Sequence, residues 1–363
     1  LAVNAISFAA PAWFDPSLPP PGFPVAVHAD IARWITDTFF TQKCVTLFSM
    51  LFGVSLFLVG GEQSDPARSP LLQRRLKWLA VIGLIHGLIF WYGDILLLYA
   101  AAGAIALRMR SWDGRRLILI GLGGSLILGI LQALMLGLLA LFPSNDDSDL
   151  FKVAASLKAY QSGWPAGLIE NLKAWGLAQG LSFALFLVPT ILLMMLGLGL
   201  FKSGFFHGRW STRAHLGLGL PGLLILALLG SLSWPDASWS ENSLAWIDTL
   251  SSFPLLITLA YCSLLIRLSP RHPWLTKRLA PVGQMALTNY LSQTLIMASL
   301  FYLPWGPRLM GHVDEVSLWG LVLLIWLAQL IWSPLWLSRF RMGPMEWVWR
   351  CLTYGRRLPL RRV

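Results

Sequence analysis

Apolar runs recur along this chain between short charged loops, most of them near the roughly 17 to 25 residues that a helix needs to cross a hydrocarbon core of roughly 30 Å. That pattern leaves few folds open, because backbone inside lipid must satisfy its own hydrogen bonds and an apolar run does so as a helix. Composition agrees: of 363 residues 56% are hydrophobic and 12% charged, against about half and a quarter in soluble domains. The expected class is all-α, a polytopic integral membrane protein. About ten transmembrane helices are expected, over residues 1–10, 44–60, 77–92, 95–108, 117–142, 174–201, 216–234, 249–267, 279–302 and 317–337. The first is expected to be truncated, because residues 1–8 read as the far end of a helix before the breaker Pro11.

The net charge of +11 would suggest nucleic acid in a soluble chain, but here the basic residues follow topology. Arg68, Arg74, Arg75 and Lys77, then Arg108 to Arg116, Lys202 to Arg213, Arg267 to Arg278 and Arg339 to Arg362 fall in alternate loops and hold 22 of the 28 cations. The remaining loops hold most acids, among them Asp146, Asp147, Asp236, Glu241, Asp314 and Glu315. Cytoplasmic loops carry the excess of Lys and Arg, so both termini are expected in the cytoplasm and no nucleic-acid partner is implied. Two units follow, a helical domain over 1–338 and a basic amphipathic cytoplasmic tail over 339–363 that could lie on anionic headgroups. Membrane lipids are the expected partners, and broad helical surfaces make a homodimer the expected assembly.

Two spans read as irregular. Residues 94–107 cover about 20 Å, so Arg108 and Arg110 are expected to snorkel, while Pro189 should kink or tilt the run from 172 to 200. The outer loops are Ala10 to Phe39, with six prolines, and Pro143 to Glu170; either is a re-entrant or lid-like segment or a plain surface loop. Tryptophans 78, 91, 234, 305, 332 and 336 sit at span ends, where most such residues anchor the interface. Cys44, Cys262 and Cys351 show neither metal-ligand nor disulfide spacing, and no metal site is expected.

Ionisable residues inside apolar spans are functional candidates by default. His86 lies nine residues past Lys77, about 13 Å along a helix, and Asp94 follows two turns later, after Gly93 and beside Trp91, Tyr92 and Tyr99. A pocket rim fits this grouping, with a structural histidine and a solvated acid as the alternatives. Lys43 opens the second span at the level of Asp94 and is either its partner or a snorkelling cation; His28, Asp30 and Asp37 could face the same site. Asn289 and Gln293, spaced i and i+4, form a polar stripe that either binds substrate or joins helices. No Walker loop, dinucleotide glycine pattern, HExxH or GxSxG occurs.

Five stretches, Leu1 to Phe8, Lys43 to Gly53, Ile85 to Tyr99, Pro281 to Gln293 and Gly343 to Gly355, resemble the YeiB family of bacterial inner-membrane proteins. That family is grouped with transmembrane acyltransferases similar to heparan-alpha-glucosaminide N-acetyltransferase and to bacterial O-acyltransferases of surface polysaccharides. The resemblance implies a bacterial inner-membrane location and acyl transfer from a cytoplasmic donor, acetyl-CoA or another acyl-CoA, to a cell-envelope or lipid-linked acceptor. Those enzymes use a membrane-embedded histidine in the first span or the loop after it. His28 lies nearer that place, and His86 is in the third span. The expected roles are His86, Asp94 and Lys43 as catalytic residues. Asn4, His28, Asp37, Trp91, Tyr99, Asn289 and Gln293 are the expected substrate contacts, and Arg74, Arg75 and Arg350 are expected near donor phosphates. The rival expectations are a transporter or lipid-handling protein with a His, Asp and Lys-lined path, and a scaffold whose polar residues only join helices.

Overall fold

The computed structural model of the chain describes residues 1–12, 23–61, 68–139, 148–235 and 241–362. In order, the helices are α1 (Ile6–Ala9), α2 (Ala29–Phe39), α3 (Lys43–Gly60), α4 (Arg68–Ile85), α5 (Leu96–Ala106), α6 (Gly114–Leu139), α7 (Ser148–Ser162) and α8 (Trp164–Lys202). They continue as α9 (Thr212–Leu232), α10 (Glu241–Ser251), α11 (Pro254–Leu268), α12 (Pro273–Gln284), α13 (Ala286–Phe301), α14 (Glu315–Arg339) and α15 (Pro344–Tyr354). The only β pairing among the described residues is an isolated bridge between Phe340 and Arg361.

Five segments among these residues are long and apolar enough to cross a membrane unaided: Ala29–Gly60, Gly114–Leu139, Trp164–Lys202, Thr212–Leu232 and Glu315–Arg339. The chain is thus a multi-pass, all-α membrane protein. The other expected spans are short or broken. Residues 1–10 form a single 3-10 turn, Ala2–Asn4, and then α1, tucked into the core with Phe8 stacked 4.8 Å from Trp91. The expected span at 249–267 is interrupted at Ser252 and Phe253, between the end of α10 and Pro254, which opens α11 at a position that needs no N–H donor. The expected span at 279–302 is two helices divided at Met285, because polar side chains satisfy both cut ends. Asn289 Nδ2 donates to the Val282 carbonyl of α12 at 3.0 Å, and the Glu346 carboxylate of α15 accepts from the Leu287 and Thr288 N–H groups of α13 at 2.7 and 3.0 Å.

Helix α8 is the packing axis of one half. It runs for 39 residues with Pro189 inside it, and α3, α5 and α6 pack along it. Contact between α3 and α8 is made by glycine: a Cβ on Gly53 would stand 2.1 Å from the Met194 carbonyl oxygen, and one on Gly197 would stand 2.0 Å from that of Met50. Small residues at such crossings let backbones approach and gain dispersion contacts where no hydrophobic driving force exists between helices. Arg110, expected to snorkel, instead turns inward, only 3% exposed, and donates to Ser69 Oγ at 3.0 Å.

The C-terminal segment is tied to the bundle. Trp349 Nε1 donates to the Arg75 carbonyl at 2.9 Å, the Arg75 guanidinium lies 4.0 Å above the Trp349 ring, and Trp347 Nε1 bonds the Leu358 carbonyl. Four prolines of the first outer loop (16, 19, 20 and 21) and the acids Asp146 and Asp147 lie outside the described residues.

Candidate functional site

At the end of α4 the helix widens into one π-turn, His86–Phe90, closed by the Trp91 N–H donating to the His86 carbonyl at 3.0 Å. Such turns add a residue and strand carbonyls, and they cluster at functional sites. Here neighbours take up the stranded groups. Asn171 Nδ2 on α8 donates to the Gly87 and Leu88 carbonyls at 2.9 and 3.0 Å, and the Tyr302 hydroxyl donates to the Phe90 carbonyl. Glycine at 87 is required by the close approach of α8: a Cβ there would meet Trp175 Nε1 at 2.1 Å.

The chain then turns back through Gly93, and Asp94 arrives beside His86. The carboxylate Oδ1 lies 2.8 Å from His86 Nδ1, while Oδ2 accepts the Leu97 N–H at 3.0 Å and the Asp94 carbonyl accepts Gln179 Nε2 at 2.8 Å. The imidazole proton therefore belongs on Nδ1, and Nε2 accepts the Thr294 hydroxyl of α13 at 3.0 Å. Hydroxyl, imidazole and carboxylate stand in line, the order in which a carboxylate orients a base and the base activates a nucleophile. All three are buried.

Around this line sit polar atoms with no partner. Trp91 Nε1, Trp175 Nε1 and Gln179 Oε1 are all buried and unbonded, and each belongs to a residue of the site. The Trp91 and Tyr290 rings stand 6.3 and 5.2 Å from the His86 ring, and Gln179 is already bonded to Asp94. An unpaired buried donor or acceptor costs about 1–3 kcal/mol, and over 90% of buried polar groups avoid it. Three such atoms therefore belong to residues beside the Thr294, His86 and Asp94 set. Among the described residues no set of three His, Cys, Asp or Glu side chains comes together to hold a metal.

The structure thus brings together His86, Asp94 and Trp91 from the expected site. It does not bring Lys43 to Asp94. The Lys43 ammonium donates to the Asp37 carbonyl at 2.7 Å, a shorter reach within its own turn, while the Asp37 carboxylate accepts Thr41. Tyr99 is buried against Ser49 Oγ at 2.9 Å on the α3 side. His28 is exposed at the start of α2, and Asn4 is half-buried in the first 3-10 turn. Asn289 and Gln293 bind α14: Asn289 Nδ2 donates to Ser333 Oγ and its Oδ1 accepts from Trp332 Nε1, and Gln293 Nε2 donates to Gln329 Oε1. Arg75 and the exposed Arg350 share the α4–α15 contact, near enough for one charge to act on the other, and Arg74 is exposed on the same turn.

Thr294, Asn171, Gln179 and Trp175 are site residues that the sequence reading missed. Asn171 and Gln179 are eight apart, two helical turns, and stand as isolated amides in an apolar helix; that spacing was available as a signal. Thr294 has no such signal, since threonine in a membrane helix usually bonds its own backbone.

Residues 198–356 match the family described as "Protein of unknown function (DUF418)". The chain is 32% identical over 380 residues to "Uncharacterized protein YeiB" of Escherichia coli (strain K12), covering 94% of this chain and 88% of that protein. It is 28% identical over 343 residues to "Uncharacterized protein YxaH" of Bacillus subtilis (strain 168), covering 90% and 82%. No solved structure matches it. With that identity over nearly the whole of both chains, this membrane protein belongs to the DUF418 family of YeiB and YxaH.

Proposed function

We propose that the protein is a membrane acyltransferase in which Thr294 is the acyl carrier, His86 the general base and Asp94 the residue that orients it. The observation that carries this reading is the aligned Thr294, His86 and Asp94 set inside apolar helices. The resemblance to transmembrane acyltransferases supplies the donor class, an acyl-CoA on the basic side. The acceptor is a hydroxyl or amine of a cell-envelope or lipid-linked molecule.

In the first half, the Thr294 hydroxyl gives its proton to His86 Nε2 and Oγ adds to the thioester carbonyl. The C–S bond breaks and the leaving thiolate takes the proton from His86. In the second half, the acceptor gives its proton to Nε2 and adds to the Thr294 ester. The C–Oγ bond breaks and Oγ recovers the proton, so the enzyme returns unchanged. Trp91 and Trp175 supply unbonded indole N–H groups next to this chemistry, suited to the oxygen that gains charge in each half. A covalent carrier at mid-depth also lets an acyl group pass from one side to the other without either substrate crossing. Arg75 and Arg350, with Arg74 beside them, form the patch for donor phosphates.

The test is a single turnover of purified protein with radiolabelled acetyl-CoA. The expected result is label on the peptide containing Thr294, kept in Thr294→Ser, lost in Thr294→Val, and released to an envelope acceptor. Absence of label on protein and acceptor alike, with no donor binding, would overturn it. Proton-coupled solute uptake in proteoliposomes that disappears in Asp94→Asn would instead assign the buried pair to transport.

A further inference from the structure

Helices α4 and α5 do not close on one another along their basic ends. Between them runs a groove of about 530 Å³, within the size range of small-ligand sites. Its wall is alanine: Ala80 from α4 and Ala100, Ala101 and Ala104 from α5. At the basic end the lining changes to Lys77, Arg108 and Arg110, with Ser69 and Gln73 beside them. At the other end Leu97 lines it, the residue whose N–H holds Asp94 Oδ2.

Arg110 is the unexplained part. It is 3% exposed, no carboxylate pairs with it among the described residues, and its Nε is buried without a partner while one terminal nitrogen donates to Ser69. A guanidinium buried without an anion is strongly disfavoured. A further cation lies at its backbone, where the Lys202 ammonium donates to the Arg110 carbonyl at 2.7 Å. The groove is therefore apolar along its length and cationic at one end, where the buried Arg110 Nε has no partner.

We infer that this groove binds an anionic glycerophospholipid, with its phosphate on the Arg110 guanidinium under Lys77 and Arg108 and one acyl chain along the alanine wall. A lipid fits better than a coenzyme because the polar end is small and offers no aromatic platform for a base, whereas the rest of the groove is lined by alanine and leucine side chains. The inference stands apart from acyl transfer. A lipid here would touch the backbone that positions Asp94 whatever that residue does.

The full chain, purified in mild detergent, is offered dioleoyl phosphatidylglycerol or dioleoyl phosphatidylcholine, and bound lipid is counted by native mass spectrometry. The expected preference for phosphatidylglycerol is about tenfold, the scale of a charge-assisted contact, and Arg110→Gln reduces it to near parity. Ala104→Phe, on an exposed position of the groove wall, lowers retention of both lipids at unchanged melting temperature. It carries the test if Arg110→Gln does not fold. Equal retention of the two lipids by the unaltered chain, phosphatidylglycerol retention unchanged in Ala104→Phe, or displacement of the lipid by acetyl-CoA or inorganic phosphate would each overturn the proposal.

Discussion

Two polar clusters interrupt the apolar helices, and they differ in one respect. The α13–α14 cluster is closed: Asn289 uses both amide ends on Val282, Ser333 and Trp332, and Gln329 links Gln293 to the Asn289 carbonyl. The His86 cluster, one to two turns along the same α13, is open. Its acid, base and hydroxyl are aligned, yet three neighbouring polar atoms have no partner. A membrane helix that needs only to be joined to its neighbour satisfies every group it buries, as the first cluster does. Leftover capacity beside a base is what a site for a reacting molecule requires.

Five substitutions break or sharpen that contrast. The largest effect is expected from His86→Ala and Asp94→Asn, each lowering acetyl transfer from labelled acetyl-CoA by about a thousandfold or more, as loss of a base or its orienting acid does elsewhere. If these variants instead act only through melting temperature, the open cluster is glue like the closed one. Trp175→Phe deletes an indole N–H that bonds nothing. It should leave the melting temperature within about 1 °C and cut turnover by about a hundredfold, the scale of one oxyanion donor.

Asn289→Leu is the mirror case. It strands Trp332 Nε1 and the Val282 carbonyl, each worth about 1–3 kcal/mol, so thermal unfolding in detergent should drop while transfer per folded molecule holds. The smallest effect belongs to Asp314, which caps α14 outside the membrane by accepting the Val316 and Ser317 N–H groups. Asp314→Ala should cost about 1 kcal/mol. Burial pushes this carboxyl up, but the bonds from Ser317 and Val316 outweigh it and hold it below the ordinary aspartate value. Its contribution is therefore complete above the unfolded pKa and is lost as pH falls through the folded one, so the wild-type and Asp314→Ala melting curves should converge in acid.

The class of fold was legible because hydropathy is a local property: apolar runs over 117–142 and 317–337 became α6 and α14 almost as read. Where the reading missed, a distant residue decided. The break at Met285 depends on Glu346, some sixty positions away. At the site, His86 and Asp94 stood out because charge in lipid is expensive. Lys43 was paired with Asp94 by expected depth, but its own helix entry offered a nearer carbonyl. Asn289 and Gln293 were read as one stripe with two meanings, and the hydrogen bonds to α14 give its structural half.

The carboxylate of Glu346 sits on the first N–H groups of α13, the helix that bears Thr294. Glu346 follows the end of α13 by 45 residues, so the first turn of α13 lacks these acceptors until α15 folds back onto it. The position of Thr294 thus depends on a segment translated after its own helix is complete. A nascent chain stalled before α15 would carry the histidine and the aspartate without a completed hydroxyl partner.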